Sequence, residues 1–207
     1  MIQPGDLVLF QGDSITDCGR DRFTGDELGN GYALMAAAFY SLQYAEAQVR
    51  FLNRGISGDT TDDLCGRWQR DSLALRPNVL SLLIGINDVW RSYDSLRLLT
   101  AGRIADNLRY LLGSAKDQCQ SKLIVMEPFY LHLPGTVDMR PGLEPVLRVV
   151  GEVAAEFDAL LIPLDNLFAE AATRQEPAYW LFDGVHPTPA GHALIAAAWL
   201  AAVGVKP

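Results

Sequence analysis

Five short, nearly continuous apolar runs rich in Val, Ile and Leu, each closed off by polar or turn residues, constrain this chain more than anything else in it. They cover residues 7–10, 49–52, 79–84, 123–126 and 160–164. A strand with one solvated face alternates apolar and polar residues, whereas a strand covered on both faces does not. These runs therefore indicate strands buried on both faces of a parallel sheet. Between them lie segments with helical spacing. Residues 32–44 are alanine-rich, residues 62–75 align Leu64, Trp68 and Leu75, and residues 104–112 align Ile104, Leu108, Leu111 and Leu112. Residues 146–157 and 190–203 complete the set. Strand followed by helix, repeated, is the pattern of an α/β fold, here a three-layer α/β/α sandwich around a five-stranded parallel sheet.

No repeat, low-complexity tract or linker interrupts the pattern, so residues 1–207 are expected to form a single domain. Proline and glycine are locally dense only in residues 128–142, read as a long ordered loop between a strand and a helix. Seventeen basic residues against twenty-five acidic ones give a net charge of −8, with no basic cluster. That balance argues against a nucleic-acid partner and against anionic lipid. The longest apolar stretch, about residues 193–205, is too short to span a bilayer. The first residues lack the basic start and apolar run of a signal peptide. Cys18, Cys65 and Cys119 form no Cys-x-x-Cys pair, so neither a zinc site nor a disulfide framework is written in them. A cytoplasmic location is the expectation. Oligomeric state is not encoded in any pattern here.

Parallel sheets bind ligands at the carboxyl ends of their strands. After the first run comes Gly12-Asp13-Ser14, where glycine permits a tight turn that presents a hydroxyl. After the second comes Gly58-Asp59-Thr60, with Asp59 or Thr60 as a helix cap and Gly58 offering a backbone N–H near a positive helix end. After the third comes Asn87, whose side-chain amide can face a developing negative oxygen. Near the end of the chain lies Asp183-x-x-His186, followed by Thr188 and Pro189 at cap and first-turn positions. A carboxylate three positions before an imidazole can hold its Nδ1–H and leave Nε2 free as a base. Each segment alone is equally a turn or a cap. Together they bring a hydroxyl nucleophile, an oriented base and oxyanion donors to one sheet edge, which are the roles acyl transfer requires. His132 and His192 read as structural.

These four segments resemble the sequence blocks of the SGNH (GDSL) hydrolase family, in order, from residue 12 to residue 187. Gly12-Asp13-Ser14 resembles the first block, Gly58 matches the glycine of the second, Asn87 the asparagine of the third, and Asp183-x-x-His186 the last. The string from Gly12 to Arg20 is most similar to small bacterial GDSL-like acylhydrolases. The resemblance implies a flavodoxin-like strand order, 2-1-3-4-5, and a serine esterase. In it Ser14, Asp183 and His186 are catalytic, and Ser14, Gly58 and Asn87 form the oxyanion hole. It implies no cofactor and no metal, and a small-molecule ester as substrate. A short acyl chain is expected, with acetylated carbohydrate among the candidates.

Asp13, Trp90, Phe129 and Tyr130 are candidate substrate contacts, and Tyr93 and Trp180 are further aromatics near strand ends. The polar segment 16–31 flanks the nucleophile. Two other readings compete. Asp13, Asp17, Asn87, Asp88, Asp183 and His186 are loosely like the ligands of a metal-dependent phosphoesterase, although three histidines are few for a two-metal site. A non-catalytic ligand-binding module on the same fold would leave the filled catalytic roles unexplained. Gly29-Asn30-Gly31 lacks the third glycine of a dinucleotide fingerprint.

Overall fold

The computed structural model describes residues 1–23, 26–94 and 100–205. Residues 24 and 25, part of the polar 16–31 segment, lie outside the described residues. The elements in chain order are β1 (Leu7–Gly12), α1 (Ser14–Asp17), α2 (Tyr32–Gln43), β2 (Arg50–Asn53), α3 (Thr61–Asp71), β3 (Val79–Leu83) and α4 (Ile86–Asp94). They continue with α5 (Ala101–Cys119), β4 (Lys122–Met126), α6 (Arg140–Glu156), β5 (Leu160–Ile162), α7 (Leu164–Ala171), α8 (Pro177–Trp180) and α9 (Pro189–Ala202).

The five strands pair in parallel in the order β2-β1-β3-β4-β5, as the resemblance implies. Val8, Leu9, Phe10, Val79, Leu80 and Leu82 are 0% exposed, which is why the runs do not alternate. One face of the sheet carries α2 and α9 and the other carries α3, α5 and α6. On the first face Phe10 meets Tyr32 of α2 edge-on and Trp199 of α9 at 5.3 Å between ring centroids. Trp199 also donates to Ser81 Oγ of β3 at 3.0 Å, so the one hydroxyl in that buried strand is satisfied. On the opposite face Gln11 reaches the end of α3, donating to the Asp71 carbonyl and to Ser72 Oγ.

Several boundaries differ from the sequence expectation. The 62–75 segment is helical only to Asp71 and ends in a 3₁₀ turn at Leu73–Leu75. Helix α5 runs well past residue 112, because its last residues are mostly polar and exposed and leave no apolar period to read. The 128–142 loop closes early: α6 starts at Arg140 and carries Pro141 in its first turn, where a missing N–H costs nothing. Helices α4, α7 and α8 are additional to the five helical segments read from the sequence. No helix among the described residues is long and apolar enough to cross a membrane.

Candidate active site

The chain delivers its polar groups to the carboxyl edge of the sheet through short loops. Gly12 ends β1, and its backbone is crowded rather than turned. A Cβ there would lie 2.2 Å from the Leu83 carbonyl oxygen and 2.4 Å from Thr16 Oγ1. The glycine thus serves close approach between β1 and β3, not the tight turn expected of it. Ser14 follows as the first residue of α1, half-buried, with Asp13 capping that turn by accepting from the Ile15 N–H at 3.0 Å. From the other end of the chain, Asp183 accepts from the N–H groups of Val185 (3.0 Å) and His186 (2.7 Å), folding the segment back on itself. Thr188 caps α9 by accepting from the Gly191 N–H and donates to the Tyr179 carbonyl.

These two loops meet. Ser14 Oγ lies 3.0 Å from His186 Nε2, and His186 Nδ1 lies 2.7 Å from Asp183 Oδ2. A carboxylate only accepts, so Nδ1 carries the proton and Nε2 is left to accept from the Ser14 hydroxyl. Burial pushes the Asp183 carboxyl up, but the hydrogen bonds from His186 and Val185 outweigh it and hold the group below its ordinary value.

Beyond β2, a turn closed by the Asp59 N–H donating to the Ile56 carbonyl places Gly58 at φ +89°. That is the third position of a type II turn, which only glycine occupies without strain. Thr60 then caps α3 in a reciprocal box with Asp63, settling which of the two candidate caps acts. Asn87 Nδ2 donates to the Asp59 carbonyl at 3.0 Å, tying the third strand end to this turn.

Ser14, Ser57, Gly58, Asn87, Trp90, Arg91, Asp94 and His186 line one cleft of about 720 Å³. All the groups that the sequence assigns to acyl transfer border it except Asp183, which stands behind His186. Of the candidate substrate contacts, Trp90 lines the cleft, its ring centroid 5.8 Å from that of His186. The other three do not. Asp13 is 1% exposed and occupied by its capping bond, and burial drives its carboxyl up to about 7. Phe129 is 0% exposed and stacks on Phe168 at 4.2 Å. Tyr130 is 1% exposed and its hydroxyl donates to the Val137 carbonyl at 2.7 Å, bracing the 128–139 loop from within. Residues that follow a strand can point into the core as readily as out of it, and sequence spacing alone did not separate the two.

Arg91, Asp94 and Ser57 were missed. The signal existed for two of them: Asn87, Trp90, Arg91 and Asp94 stand at i, i+3, i+4 and i+7, one face of a helix. Read only as a residue at a strand end, Asn87 does not lead along that spacing to Asp94. His192 is buried in the fold, as expected of a structural residue, while His132 is exposed and meets the Tyr130 hydroxyl through Nδ1 at 3.1 Å. His192 Nδ1 accepts from the Tyr32 N–H and burial lowers its pKa to about 4. The acidic groups of the metal reading do not converge. Asp17 accepts from Ser57, Asp88 accepts from Thr61, and among the described residues no group of three or more His, Cys, Asp or Glu is placed to hold a metal ion.

Strand order, the hydroxyl–imidazole–carboxylate chain and its place at the sheet edge define a class, and the chain belongs to the GDSL-like lipase/acylhydrolase family, whose model matches residues 10–194. It is a carboxylic ester hydrolase. It is 37% identical over 213 residues to an acetylxylan esterase of Geobacillus stearothermophilus, with 99% of this chain and 97% of that protein covered. The crystal structure of Axe2, an acetylxylan esterase from the same species, superposes with a TM-score of 0.91 at 36% identity, covering 99% of this chain and 97% of that one. An alpha/beta hydrolase enzyme from the metagenome of Lake Arreo, Spain, superposes with a TM-score of 0.93 at 31% identity over 100% of this chain and 98% of that one.

Proposed function

We propose that residues 1–207 form one esterase domain that removes short acyl groups, foremost acetyl, from carbohydrate through a serine acyl-enzyme. The observation that carries this reading is the continuous Ser14–His186–Asp183 hydrogen-bond chain, 3.0 and 2.7 Å, at the wall of the cleft. His186 Nε2 takes the Ser14 proton as Oγ attacks the ester carbonyl carbon. Asp183 holds the imidazole in the required tautomer and stabilises the imidazolium. The oxyanion is received by the backbone N–H groups of Ser14 and Gly58 and by the Asn87 amide. Collapse of the tetrahedral intermediate breaks the bond to the alcohol oxygen, which leaves with the proton from His186. Water, deprotonated by His186, then attacks the acyl-Ser14 carbonyl; the bond from that carbon to Oγ breaks, His186 returns the proton to Oγ, and the carboxylic acid leaves.

The acetylated-sugar reading draws support from the 37% identical acetylxylan esterase and from the cleft itself. Trp90 offers an apolar ring face, and Arg91 and Asp94 offer polar partners for hydroxyls. A long acyl chain would want a more apolar wall. Three unpaired cysteines, all half-buried, fit a reducing compartment, and we place the protein in the cytoplasm.

The test is hydrolysis of p-nitrophenyl acetate and of acetylated xylo-oligosaccharide by the native chain and Ser14→Ala, each with and without EDTA. Activity should survive chelation and fall by more than about 10³-fold in the variant, because nucleophile and base act as a unit. Retained activity in Ser14→Ala, or its loss to EDTA, would overturn the mechanism. Octanoyl esters cleaved faster than acetyl esters would overturn the short-chain preference.

A further inference from the structure

The turn that carries Gly58 is held by a carboxylate outside the cleft. Asp17 is the last residue of α1, three positions after Ser14, and its N–H donates to the Asp13 carbonyl at 2.8 Å. Its side chain is 3% exposed. Asp17 Oδ2 accepts from both the Ser57 N–H (3.0 Å) and Ser57 Oγ (2.8 Å), and also from Arg22 Nη2. On its other side Arg20 Nε stands 3.7 Å from Asp17 Oδ1 while its guanidinium donates twice to the Gly55 carbonyl, at 3.1 and 3.0 Å.

The peptide unit between Ser57 and Gly58 is therefore fixed from its upstream side by Asp17. From the downstream side, Arg91 Nη2 donates to the Gly58 carbonyl. That peptide carries the Gly58 N–H. One helical turn thus presents the nucleophile at its first residue and grips the oxyanion turn at its last. An oxyanion donor is effective only where it is held in place before charge develops.

We infer that Asp17 is a positioning residue for the reaction, locking the Ser57–Gly58 turn in register with Ser14 so that the Gly58 N–H meets the tetrahedral oxyanion. The inference rests on the proposed role of Gly58. Asp17 does not border the catalytic cleft and acts through the turn, so a purely structural role is separated from this one by whether kcat and affinity for a tetrahedral mimic fall together. Burial pushes the Asp17 carboxyl up, but the bonds from Arg22 and Ser57 prevail and keep it below its ordinary value, so the brace is an anion at working pH.

The experiment compares Asp17→Ala, Asp17→Asn, Ser57→Ala and the Asp17→Ala/Ser57→Ala double variant with the native chain. It measures kcat and KM on p-nitrophenyl acetate, the Ki of methaneboronic acid as a tetrahedral mimic, and folding by circular dichroism. Asp17→Ala should lower kcat by about 10²-fold, since a shift of about 1 Å at a reacting group costs that much. KM should change little, and the boronate Ki should rise in step with the loss of kcat. Asp17→Asn, which keeps an acceptor for Ser57, should recover part of the rate. Ser57→Ala should cost activity in the native background and nothing in the Asp17→Ala background.

A folded Asp17→Ala within twofold of native kcat would overturn the inference. So would a lowered kcat with unchanged boronate affinity, or additive effects of the two substitutions. Should Asp17→Ala fail to fold, Asp17→Asn and the exposed Ser57→Ala decide by the same boronate readout. Ser14→Ala separates the two levels of failure: an active Ser14→Ala removes the underlying mechanism, whereas an inactive one beside fully active Asp17 variants removes only the brace.

Discussion

At the scale of single residues, burial decides which polar groups serve chemistry and which serve the fold. Asp13 and Ser14 are neighbours in sequence, yet Ser14 reaches the cleft and Asp13 points under it. A buried carboxyl without a cationic partner resists ionisation, and Asp13 is raised from 3.8 to about 7, chiefly by desolvation, with the negative Asp88 and Asp59 adding to it. The consequence for stability has a definite sign. Below pH 3.8 the folded and unfolded chains are both protonated there. As pH rises from 3.8 toward 7 the unfolded chain ionises first, so the native protein loses stability over that window and the loss is complete above 7. Asp13→Asn keeps an acceptor for the Ile15 N–H and does not ionise. Its urea midpoint should therefore gain on the native one between pH 4 and pH 8. A gap that does not change with pH would show that Asp13 ionises as freely in the fold as outside it.

At the scale of elements, helix starts place the site. Thr60 is 0% exposed and caps α3, accepting from the Asp63 N–H, while Asp63 Oδ2 accepts from the Thr60 N–H and, at 2.6 Å, from its hydroxyl. The same cap ends the Gly58 turn, so helix stability and turn geometry share one side chain. Thr60→Ala should destabilise the protein by about 1 kcal/mol. In a chain of this length that is a fall in Tm of about 2–4 °C. Differential scanning calorimetry checks it, and an unchanged Tm would mean that the box contributes nothing net. Helix α4 matters in another way. It begins beside Asn87 and carries Trp90, Arg91 and Asp94 along one side of the cleft. A short amphipathic helix at a strand end thus supplies a cleft wall that a plain turn would not.

At the scale of the whole molecule, the site exists only because the two ends of the chain are brought together. Ser14 and His186 are 172 residues apart in sequence and 3.0 Å apart in space. The contact is maintained by the layer in which α2 and α9 cover Phe10, with Tyr32 and Trp199 against it. Activity should accordingly vanish with the core and not before it. In urea, loss of esterase activity and the red shift of tryptophan emission, to which the fully buried Trp68 and Trp199 contribute, should share one midpoint. Activity lost at clearly lower urea would show that the 183–186 loop opens while the layers hold.

The sequence by itself determined the class of fold and the hydroxyl, imidazole, carboxylate and amide groups at the strand ends, but not Ser57, Arg91 and Asp94 beside them. Double-faced burial writes itself as unbroken apolar runs, and caps and turn glycines depend on neighbours a few residues away, so strands, the Thr188 cap and the Asp183–His186 pair could be read locally. The strand order came from the family resemblance and not from periodicity, because pairing is a long-range choice. Only the tertiary structure decided where side chains after a strand end go. Trp90 faces the cleft while Phe129 and Tyr130 fill the core, although all three follow strands. It also decided that Gly12 answers to the Leu83 carbonyl across the sheet, and that Asp17 is bonded to Ser57, 40 residues away. These outcomes depend on packing between segments far apart in the chain, and no local pattern of residue types carries that information.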